Sequence, residues 1–485
     1  MCDIFCKFAQ QNFGKMSTIP TKKTKIICTI SDANCDVAFI QRLYESGMNV
    51  VRINSAHASI EGAQKIVDNV RKVSDKIGIM IDTKGPEVRL TPTEEPDGYL
   101  VNDGDWIEVH NGPGKPSSRQ VLYTTYEGFV NDVPVGAHVL IDDGAIDLFV
   151  TGKDDGKLLC EVQNSGIIKG KKSVNVPNVH ISLPALSDKD RAFVHWAIRS
   201  DIDFIAHSFV RSRDDLKEIQ QILDDNNSHL KIISKIENQQ GIDNLYDILS
   251  YCYGVMVARG DLGVEIPAER IPLVQQQMIH MCRLRKKPVI IATQMLHSMI
   301  ENPRPTRAEV TDVANAIFQS TDAIMLSGET ANGKYPVEAV KTMNRIAVEA
   351  EKTSDISLEL NLDRALKPIA AVLAKSLVES TQYLPVKAII FDTWTGRTGR
   401  YLAEFRPKVP IYAMCYNDYT MRELALTYDI YCYKIEIQKS KEEFVRNSID
   451  ILAEDGKIEK GDLVAFIGGS FKEELGATYM EFKYV

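Results

Sequence analysis

Eight times along the chain, a short run of apolar, largely β-branched residues precedes a stretch with helical periodicity. No other feature restricts the fold as strongly. The runs cover residues 24–30, 48–54, 77–83, 203–209, 231–237, 254–260, 288–294 and 323–328. Each is too short and too branched for a good helix, and near-continuous apolar character suits strands covered on both faces. Apolar faces follow them: Val37, Ile40, Leu43 and Tyr44 after the first run, Ile66, Val67, Val70 and Val73 after the second, and Leu216, Ile219, Ile222 and Leu223 after the fourth. Eight strand–helix units in order predict an α/β fold built on a (β/α)8 barrel.

One interval breaks the rhythm. Roughly 120 residues separate the third run from the fourth, where a barrel unit takes about thirty. Residues 89–174 are rich in Gly, Asp and Pro and carry short alternating stretches at 106–109, 139–141 and 158–162. They predict a small β-barrel domain inserted after the third strand, on the face where barrels hold their sites, placed to act as a lid. The barrel therefore comes in two parts, 22–88 and 175–352. Beyond it, residues 353–485 predict a separate α/β domain: a helix over 365–380, then strands at 387–393, 410–415, 430–436, 463–468 and 479–485, the last two as a hairpin.

Composition excludes several classes. The 485 residues are enough for about three domains, and 44% apolar with 25% charged residues is ordinary for a globular protein. A net charge of −9 argues against nucleic acid as the main partner, since backbone phosphates select clustered positive charge. No apolar run approaches the ~18 residues of a membrane helix. The nine cysteines are scattered and form no Cys-x-x-Cys pair, which reads as reduced thiols in the cytoplasm. Residues 1–21 lack an apolar signal segment and are read as a loosely attached leader, with Met16 an alternative start.

In such barrels the site lies at the C-terminal strand ends. There stand Arg52, Asn54 and His57; Asp82, Thr83, Glu87 and Arg89; Ser208; Lys235 and Glu237; Gly260 and Asp261; Thr293; and Ser327, Glu329 and Thr330. A single polar strand end is ordinarily just solvated, but polar ends converging from seven strands are not. Lys235 and Glu237, two apart, point to one side of the sheet. The carboxylates Glu237 and Asp261, on neighbouring strands, suit a hard cation such as Mg²⁺ or Mn²⁺; the rival is an acid–base pair of the glycosidase kind. Lys235, Arg52 and Arg89 on the same face favour the metal, beside an anionic, phosphorylated substrate. Backbone amides around Gly260 are placed to hold a substrate carboxylate.

Seven segments together resemble the pyruvate kinase family: DTKGPEVR (82–89), KKSVNVPN (171–178), IISKIENQQG (232–241), MVARGDLGVEIP (256–267), ATQML (292–296), NPRPTRAE (302–309) and IMLSGETA (324–331). The resemblance runs from about residue 22 to the C-terminus. It implies transfer of the phosphoryl group of phosphoenolpyruvate to ADP, giving pyruvate and ATP in glycolysis, by a cytoplasmic homotetramer with a regulatory C domain. It implies that Glu237 and Asp261 bind Mg²⁺, and that Asn54, Asp82 and Thr83 hold K⁺. Lys235 and Arg52 act on the phosphoryl group, and Thr293 lies beside the enolate carbon. Gly260 and Asp261 belong to the substrate side. Asn54, His57, Arg89 and Lys172 face the nucleotide, and Glu87 marks K⁺ dependence. A loop of Thr393, Thr395, Gly396, Arg397 and Thr398 opens a helix and corresponds to the family's seat for a phosphorylated effector; ordinary Thr capping is the bland alternative. Two positions depart from the pattern: Ala56 replaces a Ser that ligates K⁺, and Asp32 replaces a Pro near the adenine. A metal-dependent pyruvate lyase would not need Lys235 or the lid. A catalytically dead scaffold would not retain Lys235, Glu237, Asp261 and Thr293.

Overall fold

The computed structural model describes residues 22–154, 156–353, 367–469 and 476–485. The expected leader at 1–21 lies outside them.

Strands Lys25–Thr29, Val50–Asn54, Gly78–Asp82, Phe204–His207, Lys231–Ile236, Gly254–Ala258, Val289–Ala292 and Ala323–Leu326 pair in parallel, each with the next, and the first closes on the last. Alternation assigns their side chains. Ile27, Val50, Met80, Phe204, Ala206, Ile233, Met256 and Ile290 fill the barrel, while Ile26, Val51, Ile79, Ile205, Ile232 and Val255 pack outward with the helices. Polar side chains start the helices: Ser59 accepts from the Gly62 amide ahead of Ile60–Val73, and Ser187 with Asp190 forms a reciprocal cap on Asp188–Arg199.

The insert is a seven-stranded sheet with Val88–Arg89 at one edge and Val121–Thr124 at the other. A bridge between Leu90 and Thr124 joins these edges and rolls the sheet into a small barrel. Its entry and exit strands, Val88–Arg89 and Ser173–Asn175, lie side by side. Asn175 reaches Glu265 of the large barrel at 3.3 Å.

The C-terminal sheet runs Ile430–Lys434, Ile411–Cys415, Val386–Thr393, Leu463–Gly468, Tyr479–Tyr484, and only the last strand is antiparallel, as the expected hairpin. This region packs on the N-terminal face of the large barrel. Lys25 Nζ donates to the Ile430 carbonyl (2.6 Å), Arg422 to Asp203 (2.6 Å) and Arg406 to Asp322 (3.1 Å), each barrel residue standing at the start of its strand. Ala425 and Leu426 join the barrel's interior cluster and plug that end. The opposite face remains for chemistry. Among the described residues no helix is long and apolar enough to cross a membrane.

Candidate active site

The strands end slightly earlier than their apolar runs, and the polar residues stand in the turns just beyond. After the third strand, Gly85 has φ of +76°, and a Cβ there would come within 2.8 Å of the Ser208 side chain. Only glycine fits this turn. It brings Asp82, Thr83, Lys84 and Glu87 back toward the fourth strand.

Lys235 is the hub. Its ammonium lies 2.9 Å from Glu237 and 3.2 Å from Asp82, and it donates to the Ser208 hydroxyl at 2.8 Å. Burial disfavours its charge, but Glu237 and Asp82 outweigh that and hold it protonated. Arg52 donates to Asp82 (2.6 Å) and to the Thr29 hydroxyl (3.1 Å). Burial likewise opposes the charge on Asp82, yet Arg52 and Lys235 hold its carboxyl below the usual range. Two buried cations thus share one buried carboxylate at the open end of the barrel.

Glu237 is fully buried and accepts the Phe209 amide at 2.7 Å. Desolvation pushes its carboxyl up to about 7, with Lys235 opposing and Asp261 adding to the rise. Its Oε1 has an ion-pair partner in Lys235 but no hydrogen bond among the described residues. Asp261 corrects the expectation of two carboxylates on neighbouring strands: the sixth strand stops at Ala258, and Asp261 sits in the first turn of the helix Arg259–Glu265. The Gly260 amide, expected to face a ligand, donates to the Thr293 hydroxyl at 2.7 Å.

Thr293 has φ of +69°, a costly conformation for a β-branched residue. Three contacts hold it: its hydroxyl donates to the Ala292 carbonyl (2.6 Å), Gly260 donates to that hydroxyl, and Arg259 donates to its carbonyl (2.7 Å). Arg259 is itself neutralised by Asp312 at 2.7 Å. Its place in the motif was visible, but not this clamp.

The residues expected around the nucleotide divide between two cavities. Arg89 and Lys172 line one of about 610 Å³ between insert and barrel, together with Asp261. Asn54 and His57 line another of about 460 Å³, with Arg52 and Asp32. Arg89 is forked onto Glu87 at 2.5 and 3.0 Å, and Lys84 approaches the same carboxylate at 3.1 Å; Lys172 pairs with Asp142 at 2.9 Å. Asn54 Oδ1 accepts the Ala56 amide (3.1 Å).

Sequence reasoning overlooked His207. Its Nδ1 meets the Thr83 hydroxyl at 3.1 Å, and burial pushes its pKa down to about 4, so the ring is neutral. A lone His ending an apolar strand carries no signal that separates it from a packed core residue.

In the C-terminal loop, the Thr393 hydroxyl accepts the amides of Thr395 (3.3 Å) and Gly396 (2.8 Å). Thr393 and Thr398 are buried, whereas Trp394 and Thr395 are exposed. Of the three hydroxyls expected for a ligand, one is committed to the loop itself. Trp394 packs on Tyr416 with ring centroids 4.8 Å apart.

Cations and carboxylates gathered at the open end of a (β/α)8 barrel mark a site for an anionic substrate, and comparison with known proteins assigns the enzyme class. Residues 21–340 match the pyruvate kinase barrel domain and residues 371–480 the pyruvate kinase alpha/beta domain. A pyruvate kinase of Borreliella burgdorferi is 46% identical over 473 residues, covering 96% of this chain and 98% of its own. One from Geobacillus stearothermophilus is 43% identical over 469 residues, 94% of this chain and 79% of its own. The crystal structure of a pyruvate kinase from Cryptosporidium parvum superposes with a TM-score of 0.90 at 35% identity, covering 96% of each chain. The chain belongs to the pyruvate kinase family.

Proposed function

We propose that the protein is a glycolytic, cytoplasmic pyruvate kinase. It transfers the phosphoryl group of phosphoenolpyruvate to ADP with Mg²⁺ (or Mn²⁺) and K⁺, as a homotetramer regulated through its C-terminal domain. The observation that carries this reading is the buried cluster of Lys235, Arg52, Asp82 and Glu237 at the open end of the barrel. Phosphoryl transfer needs positioning and charge neutralisation more than covalent help from the protein. Lys235, held charged, stabilises the group in flight, and Arg52, paired with the same Asp82 oxygen, contacts it too. Thr293 is fixed in a strained conformation beside Gly260 and delivers or relays a proton to the enolate carbon. A Cβ on Gly260 would meet Thr293 only at 3.6 Å, so the protein's own packing does not demand glycine there. The missing side chain leaves room for substrate beside Asp261.

The donor set fits the metals. Among the described residues no three His, Cys, Asp or Glu side chains gather into a metal cage, but Mg²⁺ takes one or two carboxylates and completes its shell with water and substrate oxygens. Glu237, with its unbonded Oε1, and Asp261 supply those carboxylates. A divalent ion there would neutralise charge on the transferring group and the enolate. For K⁺, Asn54 and Asp82 stand in register on neighbouring strands, Asp82 Oδ1 is buried without a hydrogen bond among the described residues, and Thr83 follows. Glu87 supports K⁺ less directly, because Arg89 and Lys84 already balance its charge. The nucleotide takes Asn54 and His57 on one side and, with the lid closed, Arg89 and Lys172 on the other.

The exposed Thr395 with Arg397 and Thr398 is the seat for a phosphorylated sugar or mononucleotide, which lowers the half-saturating phosphoenolpyruvate concentration. Trp394 over Tyr416 narrows this seat. A coupled assay tests the whole reading: ADP-dependent pyruvate formation from phosphoenolpyruvate requires Mg²⁺, and the same rate without ADP or without a divalent ion contradicts it.

A further inference from the structure

His207 ends the fourth barrel strand, and alternation turns its ring away from the barrel interior, into the layer beneath the helices. It is 1% exposed. The Thr83 hydroxyl accepts the Ser208 amide at 3.0 Å, which leaves it one direction for Nδ1 of His207 at 3.1 Å. The Ser208 hydroxyl donates to the Thr83 carbonyl at 2.7 Å and accepts from Lys235 at 2.8 Å. Every atom in this chain is buried, so each bond sets the orientation of the next. Asp190 holds the following amide, Lys84, at 2.6 Å and anchors the same turn from the helix side.

We propose that His207 is a positioning residue for phosphoryl transfer, acting through Thr83 and Ser208 to fix the ammonium of Lys235. The proposal rests on the role of Lys235 argued above. The ring stays neutral at physiological pH because burial disfavours its cation, so it serves as a fixed hydrogen-bonding partner, not as an acid or base. Its Nε2 has no hydrogen-bond partner among the described residues. The ring's connection to the reaction therefore runs through Nδ1 alone.

Steady-state kinetics of four variants test this. Asn carries its amide at the reach of Nδ1, whereas Gln carries it at the reach of Nε2. Losing one buried neutral hydrogen bond corresponds to a fall of about tenfold in kcat for His207→Leu and His207→Gln. KM for phosphoenolpyruvate should stay within about twofold, because the lost interaction acts in the transition state. His207→Asn should remain within about threefold of the parent kcat, since the Nδ1 bond is kept. Thr83→Val should lose at least as much as the Leu variant, because it also removes the acceptor of the Ser208 amide, and adding His207→Leu to it should cost nothing further, because the His207 link is already broken. Parent-like turnover in the Gln variant, equal loss in the Asn and Gln variants, or additive losses in the pair would each overturn the proposal. Should His207→Leu not fold, the Asn–Gln comparison decides. Lys235→Met separates the two levels: if it keeps normal turnover, the reading of Lys235 fails and this proposal with it. If it is inactive while the His207 variants are normal, only the positioning role falls.

Discussion

Asp82 is the residue on which the two kinds of cation chemistry meet. Its Oδ2 holds Arg52 and Lys235, while the buried Oδ1 has no hydrogen bond among the described residues. An unbonded carboxylate oxygen in a buried site is costly unless something else binds it, and the proposed monovalent cation between Asp82 and Asn54 would meet that need. Ala56 brings no side-chain oxygen to that proposed set, so a water would complete the shell and affinity would be weak. Ala56→Ser is expected to lower the K⁺ concentration that gives half-maximal rate by about tenfold, the effect of one added ligand bond. A K⁺ titration at saturating substrate checks this. Full activity with only an inert organic cation would contradict it. Thr293 shows the same economy: one strained backbone, three bonds to hold it, and a hydroxyl already aimed toward Gly260.

Turns, rather than strands, decide where the reactive groups stand. Gly85 is required by both its φ and the closeness of Ser208. Gly85→Ala should destabilise the protein by about 1–3 kcal/mol, as a left-handed alanine with a clash does, read as a lower urea midpoint with an unchanged slope. In the C-terminal element, Thr395→Ala with Thr398→Ala is expected to remove activation by a sugar phosphate or mononucleotide and leave the maximal rate nearly intact. A panel scanned at low phosphoenolpyruvate checks it, and activation surviving the pair would reduce the loop to a tied helix start. The eight strands were legible because buried parallel strands need continuous β-branched runs, and the insert because it broke their spacing. Asp261 was misplaced because two glycines in its segment conceal a short helix. The division of Asn54 and His57 from Arg89 and Lys172 was not legible either, since it depends on how the insert leans over the barrel. Arg422 meeting Asp203 joins residues 219 apart, with no local pattern to announce it.

At the scale of the molecule, the C-terminal sheet closes the end of the barrel opposite the reaction. Leu426 enters the interior cluster that contains Met80 and Met256. Asp429 lies in this junction, facing Lys23 at 3.2 Å, with Lys25 and Glu351 nearby. Burial pushes its carboxyl from the ordinary 3.8 up to about 7 despite the lysines. The folded state then binds a proton that the unfolded chain has lost. Its contribution is full below about pH 4 and disappears as pH rises through about 7. Asp429→Asn should therefore flatten the fall in stability between pH 5 and 7, read from urea midpoints against the parent; an unchanged slope would contradict the protonated carboxyl. In the proposed mechanism one buried ammonium, held by two carboxylates, carries the transferring phosphoryl group. The most direct measurement is kcat of Lys235→Met in the coupled pyruvate assay with Mg²⁺ and K⁺ saturating. A fall of about a thousandfold, the scale of losing a preorganised charge in the transition state, with only a small change in KM for phosphoenolpyruvate, is the predicted result; turnover close to that of the parent would contradict the account.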